Sequence, residues 1–262
     1  MKPFAKLDAL KARLDEYRPL DKAVTANLHE ELVLQWTYHS NAIEGNTLTL
    51  KETKVALEGI TIGGKTLREH FEAINHRDAI LMVEELVERQ QPLDEWTIKN
   101  LHQLVLKNID ADNAGRYQEV NVQISGAEHR PPNALQVPEL MAAFSQWCSN
   151  DAQQLHPVER AARIHGEFVK IHPFVAGNGR TSRLLMNLEL LKAGFPATVI
   201  EVAQRLEYYQ ALDKAHCSGD YTDFINLVAR AVEKSFATYW WALEIEADVA
   251  KYLEELGYEQ PR

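Results

Sequence analysis

One segment in the second half of the chain combines the side chains that anion binding and proton transfer require. Gly177 and Gly179 let the backbone bend so that successive N–H groups converge on an anion. A helix that begins here points its positive end at the same place. Arg180 and Arg183 are three residues apart on that predicted helix, and a guanidinium suits phosphate oxygens. His172 stands just before the loop, where a neutral imidazole can take a proton from a hydroxyl. The segment predicts an anion-binding helix start with an adjacent base; the alternative is a capped helix with two surface arginines and an incidental histidine.

A second Gly-rich stretch, residues 59–66, fits the G-x4-G-K-[ST] pattern of a phosphate-binding P-loop. A P-loop needs a buried strand before it, so that backbone N–H groups face the phosphates. Residues 51–58 are instead charged and helical in period, and no alternation of strands and helices follows. We therefore interpret the stretch as a connection between two helices.

Other polar candidates are weaker. His165, Glu167 and His172 match no standard zinc spacing, so we assign no metal site to them. His129 precedes paired prolines, and it suits a contact with a target or nucleotide as well as a role in stabilising its own loop.

The elements that position these residues are mostly helical, because apolar side chains recur every three or four residues. The predicted helices are residues 4–17, 22–38, 51–57, 66–89, 94–107, 137–148, 156–170, 179–192, 203–215 and a long helix from 221 to about 256. Only residues 120–125 alternate like a strand, and Gly126 is typical of a turn. The sequence predicts one all-α domain with a short hairpin or flap.

Composition excludes several classes of protein. The chain has 262 residues, with 38 acidic and 28 basic side chains and a net charge of −10. A chain with this net charge does not attract nucleic acid or an anionic membrane in general, although the net charge does not exclude a local phosphate-binding site. Its two cysteines are too few for a disulfide framework. We recognise neither a signal peptide nor an apolar run of membrane-spanning length, and we expect a cytoplasmic protein.

Residues 172–183 resemble the core motif of Fic-domain proteins, H-P-F-x-[DE]-G-N-G-R-x-x-R, at every specified position but one. Residues 122–132 resemble the family's flap, a hairpin that aligns a target segment beside the active site; Val122, Ile124 and Gly126 belong to it. Residues 40–45 match the inhibitory motif [ST]-x-x-x-E-[GN] of one Fic subgroup. The three motifs occur in the order that is typical of that subgroup.

The resemblance covers about residues 36 to 241. It implies a Fic fold, which is an all-α helical bundle with a small β-hairpin flap. We accordingly divide the chain into an N-terminal helical extension (1–35), a Fic core that includes the inhibitory helix (36–241) and the C-terminal end of the last helix (242–262).

Most Fic proteins transfer AMP from ATP to a hydroxyl side chain of a target protein, and the resemblance implies the same activity here. His172 would be the general base that activates a Ser, Thr or Tyr hydroxyl. The loop 177–179 would hold the α- and β-phosphates through backbone amides and the Asn178 side chain. Arg180 would support the phosphates, and Arg183 would reach the γ-phosphate.

The inhibitory motif has a physical logic of its own. Ser40 and Glu44 are four residues apart and share one helix face, and Gly45 suits the end of that helix. A carboxylate held beside Arg183 would form a charge-assisted pair and compete with the γ-phosphate. ATP would then bind in a non-productive pose. In related proteins the same glutamate can also align a water that removes AMP, so deAMPylation belongs among the activities that the resemblance implies.

Two positions depart from the family's pattern. Ala176 stands where the family has the acidic ligand of the Mg²⁺ that bridges the phosphates, and a methyl group cannot replace a carboxylate. The alanine fits an engineered substitution, a natural change that weakens the enzyme, or a binding-only descendant. Tyr209 would line the adenine pocket, but His216 replaces an asparagine that contacts adenine in the animal enzyme.

The sequence thus favours an adenylyltransferase that Glu44 holds inactive and Ala176 weakens. A catalytically silent nucleotide-binding regulator is one alternative, and a Fic enzyme with another donor, such as one that supplies UMP or phosphocholine, is a second. We expect ATP and a target protein as partners, no nucleic acid, and a homodimer through helical faces.

Overall fold

The computed structural model describes residues 4–258, which contain no β-strand and build the predicted all-α bundle. The α-helices of these residues are α1 (Ala5–Asp15), α2 (Lys22–Ile43), α3 (Leu50–Leu57), α4 (Leu67–Glu88), α5 (Glu95–Val105), α6 (Val137–Ser149), α7 (Pro157–Ile171), α8 (Asn178–Lys192), α9 (Arg205–Ser218), α10 (Thr222–Ala242) and α11 (Glu246–Glu255). Short 3₁₀ helices cover Ala134–Gln136, Asp151–Gln154 and Val202–Gln204. Within residues 4–258, no helix is both long and apolar enough to cross a bilayer.

Helix α8 lies at the centre of the bundle. All residues from 184 to 190 are buried, so the helix has no solvent-facing side along this length. Helix α7 packs along it, while α4, α5 and α2 cover its other sides. Two buried polar side chains of α8 are paired: Asn187 exchanges hydrogen bonds with the backbone of Thr198, and Glu189 forms an ion pair with Arg160 at 2.9 Å. Pairing is required because an unpaired polar group is costly to bury. The central helix is therefore fixed in position and rotation.

Two hydrophobic clusters meet at α7 and α8. One contains Tyr208, Phe224 and Phe236 and joins α1, α9 and α10 to these two helices. The other contains Phe168 and Phe174 and joins α4, α5 and α6 to them. The loop between α7 and α8 therefore has a packed core on both sides.

The predicted long C-terminal helix is wrong, because the chain breaks it between α10 and α11. Glu244 adopts a left-handed conformation (φ 56°), and the N–H of Ile245 donates to the carbonyl of Trp240 at 3.1 Å. This turn brings Ile245 and Val249 back onto the hydrophobic cluster beside α1. The described residues after 242 therefore form a turn and the separate helix α11, and the predicted end of one last helix (242–262) is wrong for them. Residues 1–3 and 259–262 lie outside the described part, and the division into 1–35 and 36–241 stays a prediction.

The predicted strand at residues 120–125 is also wrong, since no described neighbour pairs with it. Gly126 does turn the chain, with φ 83° and a hydrogen bond from Ala127 N to the carbonyl of Ile124 at 3.3 Å. The segment is held by side chains instead: Asn121 Oδ1 accepts from Ala134 N at 2.9 Å. A strand needs a neighbouring strand to bond its N–H and C=O groups, and residues 4–258 contain no strand that could pair with the flap (residues 122–132).

Candidate active site

His172 ends helix α7 in a left-handed conformation (φ 52°, ψ 56°). Its N–H still donates to the carbonyl of Phe168 at 3.0 Å, so the histidine is tied to the helix while the chain turns away. Burial is the largest influence on the ring and lowers its pKa to about 4, against smaller opposing effects of the Val169 backbone and the Glu44 carboxylate. The imidazole is therefore neutral at neutral pH and can accept a proton.

The turn after His172 ends at the start of α8. Gly177 is the residue before the helix and has φ 79°, which a side chain would make costly. The first N–H groups of an α-helix have no partner inside the helix. Of those at the start of α8, only that of Thr181 donates to a described carbonyl, that of Gly177, at 3.0 Å. The N–H groups of residues 178–180 thus remain as donors at the positive end of the helix.

The Asn178 side chain closes the loop from inside. Its Oδ1 accepts from Phe174 N at 3.0 Å, and its Nδ2 donates to the Phe174 carbonyl at 2.7 Å. Both residues are buried. The predicted contact between the Asn178 side chain and phosphate stays a prediction. The side-chain amide is already hydrogen-bonded to Phe174, whereas the backbone N–H of Asn178 has no described partner.

Arg183 is the most fully bonded residue of the site. Its guanidinium is 2% exposed and donates to Ser40 Oγ at 2.9 Å, to the Ser40 carbonyl at 2.8 Å, to Glu44 Oε1 at 2.8 Å and to Tyr208 Oη at 3.1 Å. Three of these four bonds end on the last turn of α2. The structure thus brings together the two sequence motifs, 139 residues apart, that contain Glu44 and Arg183.

The Glu44 carboxylate lies over the start of α8. A Cβ on Gly179 would come within 2.2 Å of Glu44 Oε1, so only glycine leaves room for the carboxylate here. An anionic group therefore already occupies the positive end of the helix. Glu44 ends α2 because Gly45 follows it with φ 98° and reverses the chain.

Arg180 points to a different carboxylate. Its Nη1 lies 3.5 Å from Glu72 Oε1 on α4, and Glu72 Oε2 accepts from Asn46 Nδ2 at 2.9 Å. The Nε and Nη1 atoms of Arg180 are buried and have no hydrogen-bond partner among residues 4–258. A buried cation with unused donors is suited to an anionic ligand. Glu72 was missed by sequence reasoning, because its distance along the chain from both partners leaves no local signal.

Ala176 presents a methyl group to the loop, and its carbonyl is already used. His102 Nε2 donates to that carbonyl at 2.8 Å, while His102 Nδ1 accepts from Gly115 N at 2.9 Å. The ring stacks on Phe174 with centroids 3.5 Å apart and planes at 2°. His102 was also missed, since a histidine on the apolar face of a helix reveals nothing about its distant partners.

The flap is attached beside the candidate base. The Asp213 carboxylate on α9 accepts from the N–H groups of Glu128 and His129, each at 3.0 Å. His129 Nε2 donates to the carbonyl of Lys170, two residues before His172, at 2.9 Å. Val122 and Ile124 are half-buried in the same segment. The structure thus gives His129 a role in stabilising its loop.

The remaining predicted residues are placed around this centre. Tyr209 is half-exposed, and its hydroxyl donates to the carbonyl of Ile43 at 3.1 Å, one residue before Glu44. His216 is buried and donates through Nε2 to the carbonyl of Gly166 at 2.9 Å. His165 is buried between the hydroxyls of Ser182 and Tyr208, at 3.0 Å from each, and among the described residues it joins no three-ligand metal cluster.

The second Gly-rich stretch is a helix connection, as interpreted. It links α3 to α4, and the Thr66 side chain caps α4 by accepting from Glu69 N at 3.2 Å. Lys65 Nζ donates to the carbonyl of Thr47 at 2.6 Å. The lysine is therefore engaged in holding the chain after the inhibitory motif.

Comparisons with known proteins identify the family of this chain. A sequence profile of the Fic/DOC family matches residues 92–190. The chain is 39% identical over 224 residues to Protein adenylyltransferase Fic of Nematostella vectensis, covering 84% of this chain and 51% of that protein. A solved fragment of Fic-1 from C. elegans is 33% identical, with a TM-score of 0.82 over 91% of this chain and 71% of that chain. A Fic domain containing signaling protein from Bacteroides thetaiotaomicron is 27% identical, with a TM-score of 0.83 over 90% of this chain and 96% of that chain.

The chain spans about half the length of the curated relatives it matches. The profile covers α5, the flap and the loop between α7 and α8, and it leaves out the end of α2, which contains Ser40 and Glu44. The likeness to the C. elegans protein extends over most of the bundle. By sequence and by fold, this chain belongs to the Fic/DOC family.

Proposed function

We propose that this chain is a protein adenylyltransferase, which moves AMP from ATP to a hydroxyl side chain of another protein. The observation that carries the proposal is the convergence at one loop of a neutral His172, the unpaired N–H groups at the start of α8, and Arg180 with unused donors. Relatives named protein adenylyltransferase Fic support it. The target protein, a homodimer and a cytoplasmic location stay predictions.

In this mechanism His172 accepts the proton of the target hydroxyl as the hydroxyl oxygen attacks the α-phosphorus of ATP. A bond forms between that oxygen and the α-phosphorus, the bond from the α-phosphorus to the bridging oxygen of the β-phosphate breaks, and pyrophosphate leaves. The N–H groups of residues 178–180 bind phosphate oxygens, and Arg180 and Arg183 offset the developing charge. Positioning and electrostatics supply the catalysis.

We further assign the chain to the subgroup in which an N-terminal glutamate inhibits. Glu44 pairs with Arg183 and lies against Gly179, so its carboxylate competes with phosphate for the same arginine and the same helix end. A triphosphate that enters past Glu44 has to give up one of these contacts. We therefore expect the unmodified chain to bind ATP without transferring AMP efficiently.

The loop does not fit a magnesium ion held by the protein. Mg²⁺ prefers carboxylate oxygens and reluctantly loses its waters. Residues 172–183 contain no carboxylate, and the Ala176 carbonyl is bonded to His102. We therefore assign no metal ligand to the loop.

The same alanine favours a second candidate function, that of a silent nucleotide-binding regulator. Such a protein keeps the phosphate donors and the Glu44–Arg183 pair but does not transfer AMP. The two candidates differ in what happens when Glu44 and Ala176 are changed together.

The test is intact-mass detection of AMP on the protein and on proteins of a lysate after incubation with ATP and Mg²⁺. The variants are Glu44→Gly, and Glu44→Gly combined with Ala176→Asp. We expect Glu44→Gly to raise transfer about tenfold or more, because it frees Arg183. The added carboxylate raises it further, on the order of 10²-fold.

The control is Glu44→Gly combined with His172→Ala, which should lose about 10²-fold or more of the transfer because the general base is absent. Silence of every variant with intact ATP binding would support the regulator. Mass additions from UTP or CDP-choline instead of ATP would identify another donor.

A further inference from the structure

His102 holds the phosphate-binding loop from behind. It belongs to α5, 74 residues before its partner Ala176, and it is fully buried. One ring nitrogen bonds the Ala176 carbonyl, the other accepts from the N–H of Gly115, and the ring lies flat on Phe174. A Cβ on Gly177 would lie 3.3 Å from His102 Nε2, so the ring is also in close contact with the next residue of the loop.

The planarity of the peptide bond gives this contact a directional consequence. In a trans peptide the C=O of one residue and the N–H of the next point in opposite directions. The Ala176 carbonyl points inward, to His102 on α5. The N–H of Gly177 therefore points away from α5, to the side of the loop opposite His102.

We infer that His102 is a positioning residue for phosphate binding. By holding the Ala176 carbonyl, it orients the Gly177 N–H toward the anion site. The inference rests on the proposed function, because it concerns the same loop. The family resemblance already implies the Gly177 N–H as a phosphate donor, and the new element is that a residue of another helix sets its direction. Turned by half a rotation, the same peptide would present its carbonyl, which repels phosphate.

The chemistry of the ring supports the assignment. Donation through Nε2 and acceptance through Nδ1 require one neutral tautomer. Burial lowers the pKa of His102 to about 4, with a smaller lowering by Arg180, so the neutral form persists at physiological pH. If the ring took up a second proton, Nε2 would still donate to the Ala176 carbonyl, but Nδ1 could no longer accept from Gly115.

Two substitutions separate the two bonds, both in the Glu44→Gly background. His102→Gln keeps an amide N–H near Nε2 and so retains the bond to Ala176. His102→Asn places its oxygen near Nδ1 and retains only the bond to Gly115. His102→Phe keeps the stacking on Phe174 and neither bond, and it replaces His102→Asn in the comparison if that variant does not fold.

The measurements are calorimetric titration with inorganic tripolyphosphate and with ATP, and the ¹H–¹⁵N shift of the Gly177 amide on adding each. We expect His102→Gln to bind tripolyphosphate nearly as the parent does. His102→Asn and His102→Phe should bind it about tenfold more weakly, the value of one backbone hydrogen bond to a charged group. The Gly177 amide should shift in the parent and in His102→Gln only.

Equal losses in His102→Gln and His102→Asn at equal thermal stability would overturn the inference, as would unchanged binding in both. His29→Gln, on the half-exposed face of α2, is the matched control and should change nothing. Failure of the proposed function would give a different result. The Glu44→Gly parent would then bind tripolyphosphate but transfer no AMP, and the His102 variants would keep the same ranking in tripolyphosphate affinity.

Discussion

Arg183 and Glu44 form a short hydrogen-bonded ion pair (2.8 Å) that contributes only modestly to the free energy of folding. The arginine is 2% exposed, but the carboxylate is 32% exposed and therefore partly screened by water. Pairs of this kind contribute on the order of 1 kcal/mol. A triphosphate carries more charge than one carboxylate, so ATP can compete for the arginine. The proposed inhibition by this contact is therefore expected to be reversible.

The environment of His172 predicts an unusual pH dependence of AMP transfer. As the proposed general base, His172 works only when neutral, so we expect activity to be lost as the pH falls through its pKa, which burial lowers to about 4. Because an ordinary histidine titrates near pH 6.5, we expect kcat/KM of Glu44→Gly to be flat from about pH 5 to 8. Removing Glu44 also removes a group that raises this pKa, which moves the acid limb lower still.

The measurement is a pH–rate profile by intact mass, with circular dichroism at each pH to verify folding. An acid limb centred near the ordinary histidine value, in folded protein, would show that His172 is not buried in the way described or is not the base.

At the scale of elements, the flap depends on one carboxylate of α9. Asp213 accepts from two flap N–H groups, which lower its pKa although partial burial acts in the opposite direction. We expect Asp213→Asn to raise the KM for the target protein about threefold to tenfold, because a neutral amide with one oxygen accepts the two flap N–H groups more weakly than a carboxylate does. The affinity for ATP should stay unchanged, since α8 and Arg183 are not involved.

The matched control is Asp223→Asn, which removes an exposed partner of Lys214 near the same helix. Steady-state transfer to a fixed target, with ATP and target varied separately, distinguishes the two parameters. An equal loss of ATP affinity in Asp213→Asn would contradict a role confined to the flap.

Helical periodicity predicted most elements, and physical chemistry explains where it failed. The residues around the loop were predicted because glycines, arginines and a histidine lie close together in sequence. The break at Glu244 has no local signal, since it depends on Ile245 and Val249 finding the core. The flap strand failed because alternation shows only that a segment is extended, and pairing is a property of its neighbours. His102 and Glu72 act through contacts that only the folded chain forms.

At the scale of the whole molecule, α8 joins both hydrophobic clusters and should be the last element to open. Its amides from 184 to 190 are buried on every side, whereas α11 buries only Val249. We expect hydrogen exchange followed by mass spectrometry to show α8 exchanging only through global unfolding and α11 through local fraying. Comparable protection in the two helices would mean that the bundle does not unfold around α8.

The hydrogen bonds that hold Arg183 affect how quickly the proposed inhibition can be relieved. Tyr208 and the Ser40 carbonyl hold the guanidinium without help from Glu44. The entropy of ordering this long side chain is therefore lost during folding, before any nucleotide arrives. In the proposed mechanism, Arg183 is then already positioned for the terminal phosphate, and we expect activation to require only a local displacement of the Glu44 carboxylate.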